Sequence, residues 1–446
     1  MEINDKIEMN LVDITHSGEG VGREENMIVF VDGGVPGDKA EVEITTLKKT
    51  YALGKILNII EPSPERVEPA CPYFGKCGGC QLLHVNYAEQ LRIKGKMVKD
   101  AIERIGDLKT VEVEPVIGME NPTRYRNKAQ YKIDKKGMGF YEKKSHHIIP
   151  ITDCLTQPKS CSDVIKTFNE LVKTAELSIY NEHVRKGYLR GILQRTNLAG
   201  ENMIIIIVNG KSLSKKEIMI DAILKGIPNV KSIFVNVNTS KGNAILGKKS
   251  THIYGQMRLD EVIGELHYSI SPNSFFQVNS IQTKVLYDLV KKMADLKGSE
   301  TLFDLYCGTG TIGLYLAKGA KEIYGIEIVG DAVRDARENA ELNKIENATF
   351  IEGKAEIETG KLVEKGIKPD IIVLDPPRKG CEPEILEMIH TLKTKKVIYV
   401  SCNPSTLARD LKIMAENGYN VDTIQPIDLF PGTGHVETVV LMSKVK

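Results

Sequence analysis

The stretch Thr301–Gly319, TLFDLYCGTGTIGLYLAKG, decides the fold. A short apolar run, TLFDLY, leads directly into Gly308, Gly310 and Gly313 in the spacing G-x-G-x-x-G, and a helix-like apolar repeat follows. Glycines at these places allow a tight strand-to-helix turn and let a ligand approach the backbone at the helix N-terminus. The next apolar strand is EIYGIEI (322–328), and Glu327 near its end is placed to accept hydrogen bonds from ribose hydroxyls. This combination predicts a site for a nucleoside-containing cofactor. The glycine pattern alone serves a dinucleotide-dependent oxidoreductase as well as a group-transfer enzyme.

Further along, the same rhythm continues. ATFIEG (348–353), DIIVLD (370–375) and VIYVS (397–401) are short apolar strands, separated by helix-like segments such as GDAVRDARENAELN (330–343) and PEILEMIHTLK (383–393). Strands and helices alternating at this spacing predict a parallel sheet with helices on both faces. Ligands of such sheets bind beyond the carboxyl ends of the strands. Asp375, in IIVLDPPRKG, and Cys402, in VIYVSCNP, both lie just past a strand and so fall near the cofactor. A lone cysteine is ordinarily a small buried hydrophobe. Its position between Ser401 and Asn403 on the ligand edge makes Cys402 a candidate nucleophile instead.

With 446 residues the chain has room for two to four domains, and 41% hydrophobic with 27% charged residues is a globular composition. The net charge of +1 excludes a uniformly basic nucleic-acid-binding surface, so any such surface must be local. The N-terminus lacks the basic and apolar regions of a signal peptide, and the longest apolar runs, such as MIIIIV (203–208), fall far short of the ~20 residues that span a bilayer. The expectation is a cytoplasmic protein with no membrane partner, acting as a monomer.

Residues 1–60 read as short strands joined by Gly/Pro turns and predict a small β-barrel. Its acidic residues Glu24, Glu25, Asp32, Asp38, Glu41 and Glu43 weaken any claim that its whole surface holds nucleic acid. A proline- and charge-rich linker, EPSPERVEPACP (61–72), precedes a mixed α+β region running to residue 265. Three of the eight cysteines crowd together there as Cys71, Cys77 and Cys80. In a chain without secretion features such crowding points to a metal or cluster site that needs a fourth ligand, and spacing alone does not separate zinc from iron–sulfur. The segment PTRYRNKAQY (122–131) interleaves Arg124, Arg126 and Lys128 with Tyr125 and Tyr131. That mixture suits phosphate contact and base stacking in RNA, or else is a solvated strand face.

DLYCGTGTIG, GIE, DPPRKG, SCNP and HVE, together with FFQVN at 275–279, resemble the RNA uracil-5-methyltransferase family over nearly the whole chain. SCNP with DPPR and HVE carries the likeness, and the glycine motif adds little. The resemblance implies a multidomain α/β protein in three parts. These are a TRAM-like, OB-like RNA-binding barrel (1–60), a central α+β domain with an iron–sulfur site (61–265) and a Rossmann-like class I methyltransferase domain (266–446). It implies S-adenosylmethionine as methyl donor, held by Gln277, Tyr306, Gly308, Gly310, Glu327 and Asp375. Cys402 becomes the thiol that adds to uracil C6. Glu437, otherwise an ordinary charged residue at a strand edge, becomes the base that removes the C5 proton. The cysteine group becomes a 4Fe–4S site with Cys154 as the distant ligand and Cys161 as its competitor, its role structural or RNA-facing. The implied substrate is a uridine in 23S ribosomal RNA, with a transfer-RNA uridine as the nearest rival. An RNA-binding assembly factor with incidental methylation is a further alternative, and an NAD-dependent oxidoreductase would leave SCNP without a purpose.

Overall fold

The computed structural model describes residues 1–242 and 244–445. The first six strands are β1 (Lys6–Asn10), β2 (Asp13–Ile14), β3 (Glu19–Glu24), β4 (Met27–Asp32), β5 (Lys39–Leu47) and β6 (Tyr51–Glu61), hydrogen-bonded in the order β1-β5-β6-β4-β3-β2. Only two residues separate β1 from β2, and the Val12 N–H donates to the Val21 carbonyl at 2.8 Å, which closes the sheet into a barrel. Its alternation has period two. Ala40, Val42 and Ile44 of β5 are fully buried while Lys39, Glu41 and Glu43 point outward. Asp38 departs from the acidic surface expected. It is buried, accepting from the Val35 and Ser63 amides and pairing with Arg66 at 2.5 Å.

A helix, α1 (Tyr87–Arg104), precedes the second sheet. That sheet contains β7 (Lys128–Asp134), β8 (Gly137–Tyr141), β9 (Ile148–Pro150), β10 (Leu189–Thr196), β11 (Asn202–Val208), β12 (Val230–Val237) and β13 (Lys249–Gly255), in the order β13-β12-β11-β10-β7-β8-β9. Helices α2 (Cys161–Thr174) and α3 (Lys216–Gly226) cover one face. β11 (NMIIIIV) is buried on both faces, which explains its unbroken apolar run. Ile204, Ile206 and Val208 meet the helices, while Met203, Ile205 and Ile207 enter a second cluster with Phe234 and Leu259.

The third part begins with the hairpin β14 (Leu259–Ile263) and β15 (Leu266–Ile270) and α4 (Ser280–Ala294). Then β16 (Thr301–Leu305), α5 (Thr311–Leu316), β17 (Glu322–Glu327), α6 (Gly330–Leu342), β18 (Ala348–Glu352), α7 (Ala355–Glu364), β19 (Ile371–Leu374), α8 (Pro383–Leu392), β20 (Lys396–Ser401) and α9 (Pro404–Glu416) alternate as the sequence predicts. The strands β18-β17-β16-β19-β20 are parallel. A closing antiparallel pair, β21 (Tyr419–Ile427) and β22 (Glu437–Lys444), lies outside that alternation, with β22 inserted between β20 and β21.

Parts of residues 61–270 pack on the third part of the chain. α1 lies on the third part, where Val98, Ala101 and Ile102 share a core with Leu407, Ala408 and Leu411 of α9. Residues 113–117 run beside β21, with the amides of Glu114 and Ile117 donating to the carbonyls of Ile424 and Pro426. The β14–β15 hairpin also contributes Ile263, Leu266 and Tyr268 to that part's main core. The central sheet, residues 128–255, lies between, and the hairpin's Leu259 packs on it too.

Candidate active site

The glycine loop takes its shape from three left-handed residues, Tyr306 (φ 64°), Gly308 (φ 55°) and Gly310 (φ 75°), between β16 and α5. A Cβ on Gly310 would lie 2.7 Å from the Phe350 ring, so both space and φ demand glycine there. Glu327, at the end of β17, accepts from the Gly308 amide at 3.1 Å and from the Val329 amide at 2.8 Å. It therefore ties the first two strand ends together. Behind the loop, Asp304 accepts from the Gly313 amide at 2.8 Å, and burial pushes its carboxyl up to about 7.

β19 and β20 deliver Asp375 and Cys402 to the same edge. Because β22 runs antiparallel, its first residue, Glu437, arrives at that edge too. Ser401 pairs with Thr438, and Ile427 pairs with Glu437. The motif SCNP is a strand end followed by a helix cap. Asn403 Oδ1 accepts from the Ser405 amide at 3.1 Å, Pro404 occupies the first helical turn, and Asn403 Nδ2 donates to the Arg378 carbonyl at 2.9 Å. Cys402 is thereby left half-buried just outside α9.

The electrostatics are those of acids kept from water. Burial raises the Asp375 carboxyl well above the usual range, and burial together with the Asp375 charge does the same to Glu437. Burial, then the Glu437 carboxylate, push the Cys402 thiol up to about 11. The Arg378 guanidinium opposes the shift at both Cys402 and Glu437. Close by, His435 is pushed down to about 4 by burial and by Arg378, so it is neutral at pH 7. This arrangement can supply a thiol nucleophile and a buried general base side by side, next to a loop shaped for a nucleoside.

Gln277 is buried beside Phe276, and its carbonyl accepts from Asn127 Nδ2 at 2.8 Å. Phe276 packs against Tyr268, whereas Phe275 is 66% exposed. Tyr306 lies half-buried against the α8–α9 core. Three residues escape a reading of the sequence alone. Arg378 lies within DPPRKG, but nothing in the motif marks which charge it serves. Ile328 and Val329 are 62% and 53% exposed immediately after Glu327, and an apolar pair where the strand should end was their only signal.

Cys71, Cys77, Cys80 and Cys154 line one cavity of about 530 Å³. Cys161 does not line it and lies fully buried in the central core. Among the described residues, no three His, Cys, Asp or Glu side chains converge tightly enough to hold a single metal ion. In the basic segment beside the cysteines the tyrosines and the charged residues part company. Tyr125 and Tyr131 are 4% and 1% exposed, as core residues. Arg124 forms a bidentate pair with Asp153 at 2.7 and 2.6 Å and also donates to the Cys154 carbonyl at 2.8 Å. Arg126 and Lys128 turn into the cysteine cavity, where burial pushes Lys128 down to about 7. Within β7 the strand alternation sends Ala129, Tyr131 and Ile133 to the core and Lys128 to the opposite face. Among the described residues, no helix is long and apolar enough to cross a membrane.

Residues 86–445 match the model of the tRNA (uracil-5-)-methyltransferase family, and residues 6–57 match that of the TRAM domain. The chain is 47% identical over 431 residues to an uncharacterized RNA methyltransferase of Clostridium tetani, covering 96% of this chain and 94% of that one. It is 44% identical over 444 residues to another from Halalkalibacterium halodurans, covering 98% and 97%. Among solved structures it matches the Pyrococcus abyssi tRNA (uracil-54, C5)-methyltransferase in complex with S-adenosyl-L-homocysteine, at 29% identity and a TM-score of 0.80, covering 98% of this chain and all of that one. With its glycine loop, its strand-end acids and a barrel at its N-terminus, the chain belongs to the tRNA (uracil-5-)-methyltransferase family, S-adenosylmethionine-dependent RNA (uracil-5-)-methyltransferases, and carries a TRAM domain.

Proposed function

We propose that the protein methylates C5 of a uridine in RNA through a covalent bond between Cys402 and uracil C6. The observation that carries this reading is the meeting of Cys402, Asp375 and Glu437 at one sheet edge beyond the glycine loop. Uracil C5 is a weak nucleophile. Addition of the Cys402 thiolate to C6 forms an S–C bond and leaves an enolate with electron density at C5. C5 then attacks the sulfonium methyl carbon, the methyl–sulfur bond breaks and S-adenosylhomocysteine leaves. Glu437 takes the C5 proton, and the electron pair re-forms the C5–C6 double bond as the thiolate departs. A buried, raised carboxyl suits that step, because its proton affinity approaches that of the acidified C5–H. Gln277, Tyr306, Gly308, Gly310, Glu327 and Asp375 form the donor's site in this scheme. The target base must be unpaired or flipped out to reach the thiol.

The substrate proposed is a uridine in 23S ribosomal RNA, on the likeness of the barrel, cysteine group and catalytic domain taken together. A transfer-RNA uridine is the second reading, favoured by the Pyrococcus abyssi match. For the cysteine site, Cys71, Cys77, Cys80 and Cys154 would hold a 4Fe–4S cluster. The four thiols on one cavity of about 530 Å³ support this, since iron–sulfur clusters of this kind take four cysteine ligands. Such a cluster would fasten the segment 71–80 to the loop that carries Cys154, and the methyl transfer uses no electron from it.

The test incubates the protein with S-adenosylmethionine and RNA containing 5-fluorouridine. Fluorine at C5 does not leave as a proton does, so an adduct stable to denaturation accumulates. Adduct formation by Cys402→Ala would sink the assignment. Mass mapping of the methylated base in ribosomal and transfer RNA decides the substrate, and an anaerobic preparation with zinc but no iron or sulfide would overturn the cluster.

A further inference from the structure

The loop Asp428–Val436, DLFPGTGHV, links β21 to β22 and ends on Glu437. Apart from Phe430 and His435 its residues are buried, so its backbone groups need protein partners rather than water. Asn279 Nδ2 and Gln282 Nε2 donate to the Leu429 and Asp428 carbonyls at 3.0 and 3.2 Å, and most of the other partners come from one distant stretch. The Gly432 carbonyl accepts from the amides of both Gln81 and Leu82 at 2.9 Å, and the Gly432 amide donates to Gln90 Oε1 at 3.0 Å. Tyr125 Oη donates to the Pro431 carbonyl at 2.9 Å. Lys94 Nζ, fully buried on α1, donates to the Phe430 carbonyl at 3.0 Å and to Asp428 Oδ1 at 2.6 Å. Tyr87 Oη holds the second Asp428 oxygen at 3.1 Å. On its outer side the loop presses on the barrel, where a Cβ at Gly434 would lie 1.7 Å from the His16 carbonyl.

Cys402 has no such dependence. SCNP is fixed by β20, by its own helix cap and by the Arg378 carbonyl. The two groups are thus entered differently: the thiol follows directly from β20, whereas the base opens β22 at the end of a loop held largely by residues 81–125. We propose that Lys94, Gln90 and Tyr125 are positioning residues for Glu437, and that this brace serves the elimination half of the reaction and not the addition half. The proposal rests on the assignment of Cys402 as nucleophile and Glu437 as C5 base. Gln81 adjoins Cys80, so the cysteine site is one residue from the brace.

The experiment uses the full-length protein with RNA carrying natural uridine labelled with tritium at C5. Three quantities are followed for Lys94→Met and Tyr125→Phe: denaturation-stable protein–RNA complex, methyl content of that complex and tritium release. With the base displaced, tritium release falls by about ten- to hundredfold and methylated complex accumulates. The rate of adduct formation with 5-fluorouridine RNA stays within about twofold of wild type, because addition does not use the base. Lys94→Met strands a buried carboxylate and puts the fold at risk, so Tyr125→Phe, which removes one hydroxyl and keeps the ring, gives the same readout in a gentler variant. If addition and tritium release fall together, or if both variants release tritium at the wild-type rate, the brace is overturned. A wild-type protein that forms no adduct with 5-fluorouridine RNA overturns the covalent reading instead.

Discussion

The register that sets Ser401 of β20 against Thr438 of β22 brings Cys402 and Glu437 together, one leaving its strand where the other enters. Antiparallel insertion of β22 is what makes this possible. A parallel strand there would deliver its first residue to the opposite edge, away from the glycine loop. Two groups adjacent in space but carried by differently supported segments are suited to successive steps on one base.

Their separate tasks predict opposite failures. Cys402→Ala abolishes adduct formation and lowers turnover by on the order of 10⁴-fold or more. Glu437→Gln lowers turnover by about 10²–10⁴-fold. It still forms the adduct and transfers methyl, so methylated RNA remains bound through Cys402. Gel analysis of denatured mixtures separates the two outcomes.

A thiol pushed up to about 11 predicts a steep pH dependence of addition. Below that value the thiolate fraction rises tenfold per pH unit, so log rate against pH for 5-fluorouridine adduct formation has a slope near one between about pH 7 and 9. Arg378 holds the thiol lower than burial and Glu437 alone would. Arg378→Gln therefore gives a parallel line displaced downward, by about three- to tenfold. A flat wild-type profile would show that thiolate formation does not limit addition.

Glu437 also predicts a trade of stability for chemistry. Its carboxyl is raised above the ordinary 4.5, so the folded state favours the protonated form. Below about pH 4.5 both folded and unfolded chains are protonated there and the group costs nothing. As the pH rises above that value the unfolded chain ionises first, and the folded state loses stability until its own carboxyl ionises. A neutral glutamine removes the loss. The melting temperature of Glu437→Gln therefore exceeds wild type at pH 8, by about 2–4 °C for each kcal/mol recovered, and the two converge toward pH 4.5. A constant difference across pH would refute burial as the cause.

How much of this is legible in sequence depends on range. The glycine loop, the strand ends of Asp375 and Cys402 and the barrel alternation are local patterns, and they read directly as structure. The brace is not local. Lys94 and Asp428 stand 334 positions apart, and a lysine on a helix ordinarily reads as solvated. The closing β21–β22 pair escapes for a related reason, since its antiparallel insertion breaks the β/α rhythm that announces the other strands. For Arg124, Arg126 and Lys128 composition records charge but not partners, so the Asp153 pair of Arg124 and the cavity that Arg126 and Lys128 line are not legible in it.

Arg124 gives the sharpest test of that last point. Its guanidinium spans Asp153 and the carbonyls of Cys154 and Gln157, so it pins the loop that carries the fourth thiol. A phosphate-binding arginine would instead contribute to the salt dependence of RNA affinity, about 0.7 of a unit of slope for each contact to single-stranded RNA. Replacing Arg124 with alanine leaves Asp153 without its cation and frees the loop. The expected result is a fall in iron and sulfide bound per chain, measured on anaerobically purified protein, with the log affinity–log salt slope for RNA unchanged. A slope reduced by about 0.7 with full iron content would return Arg124 to the RNA-binding surface and remove it from the cysteine site.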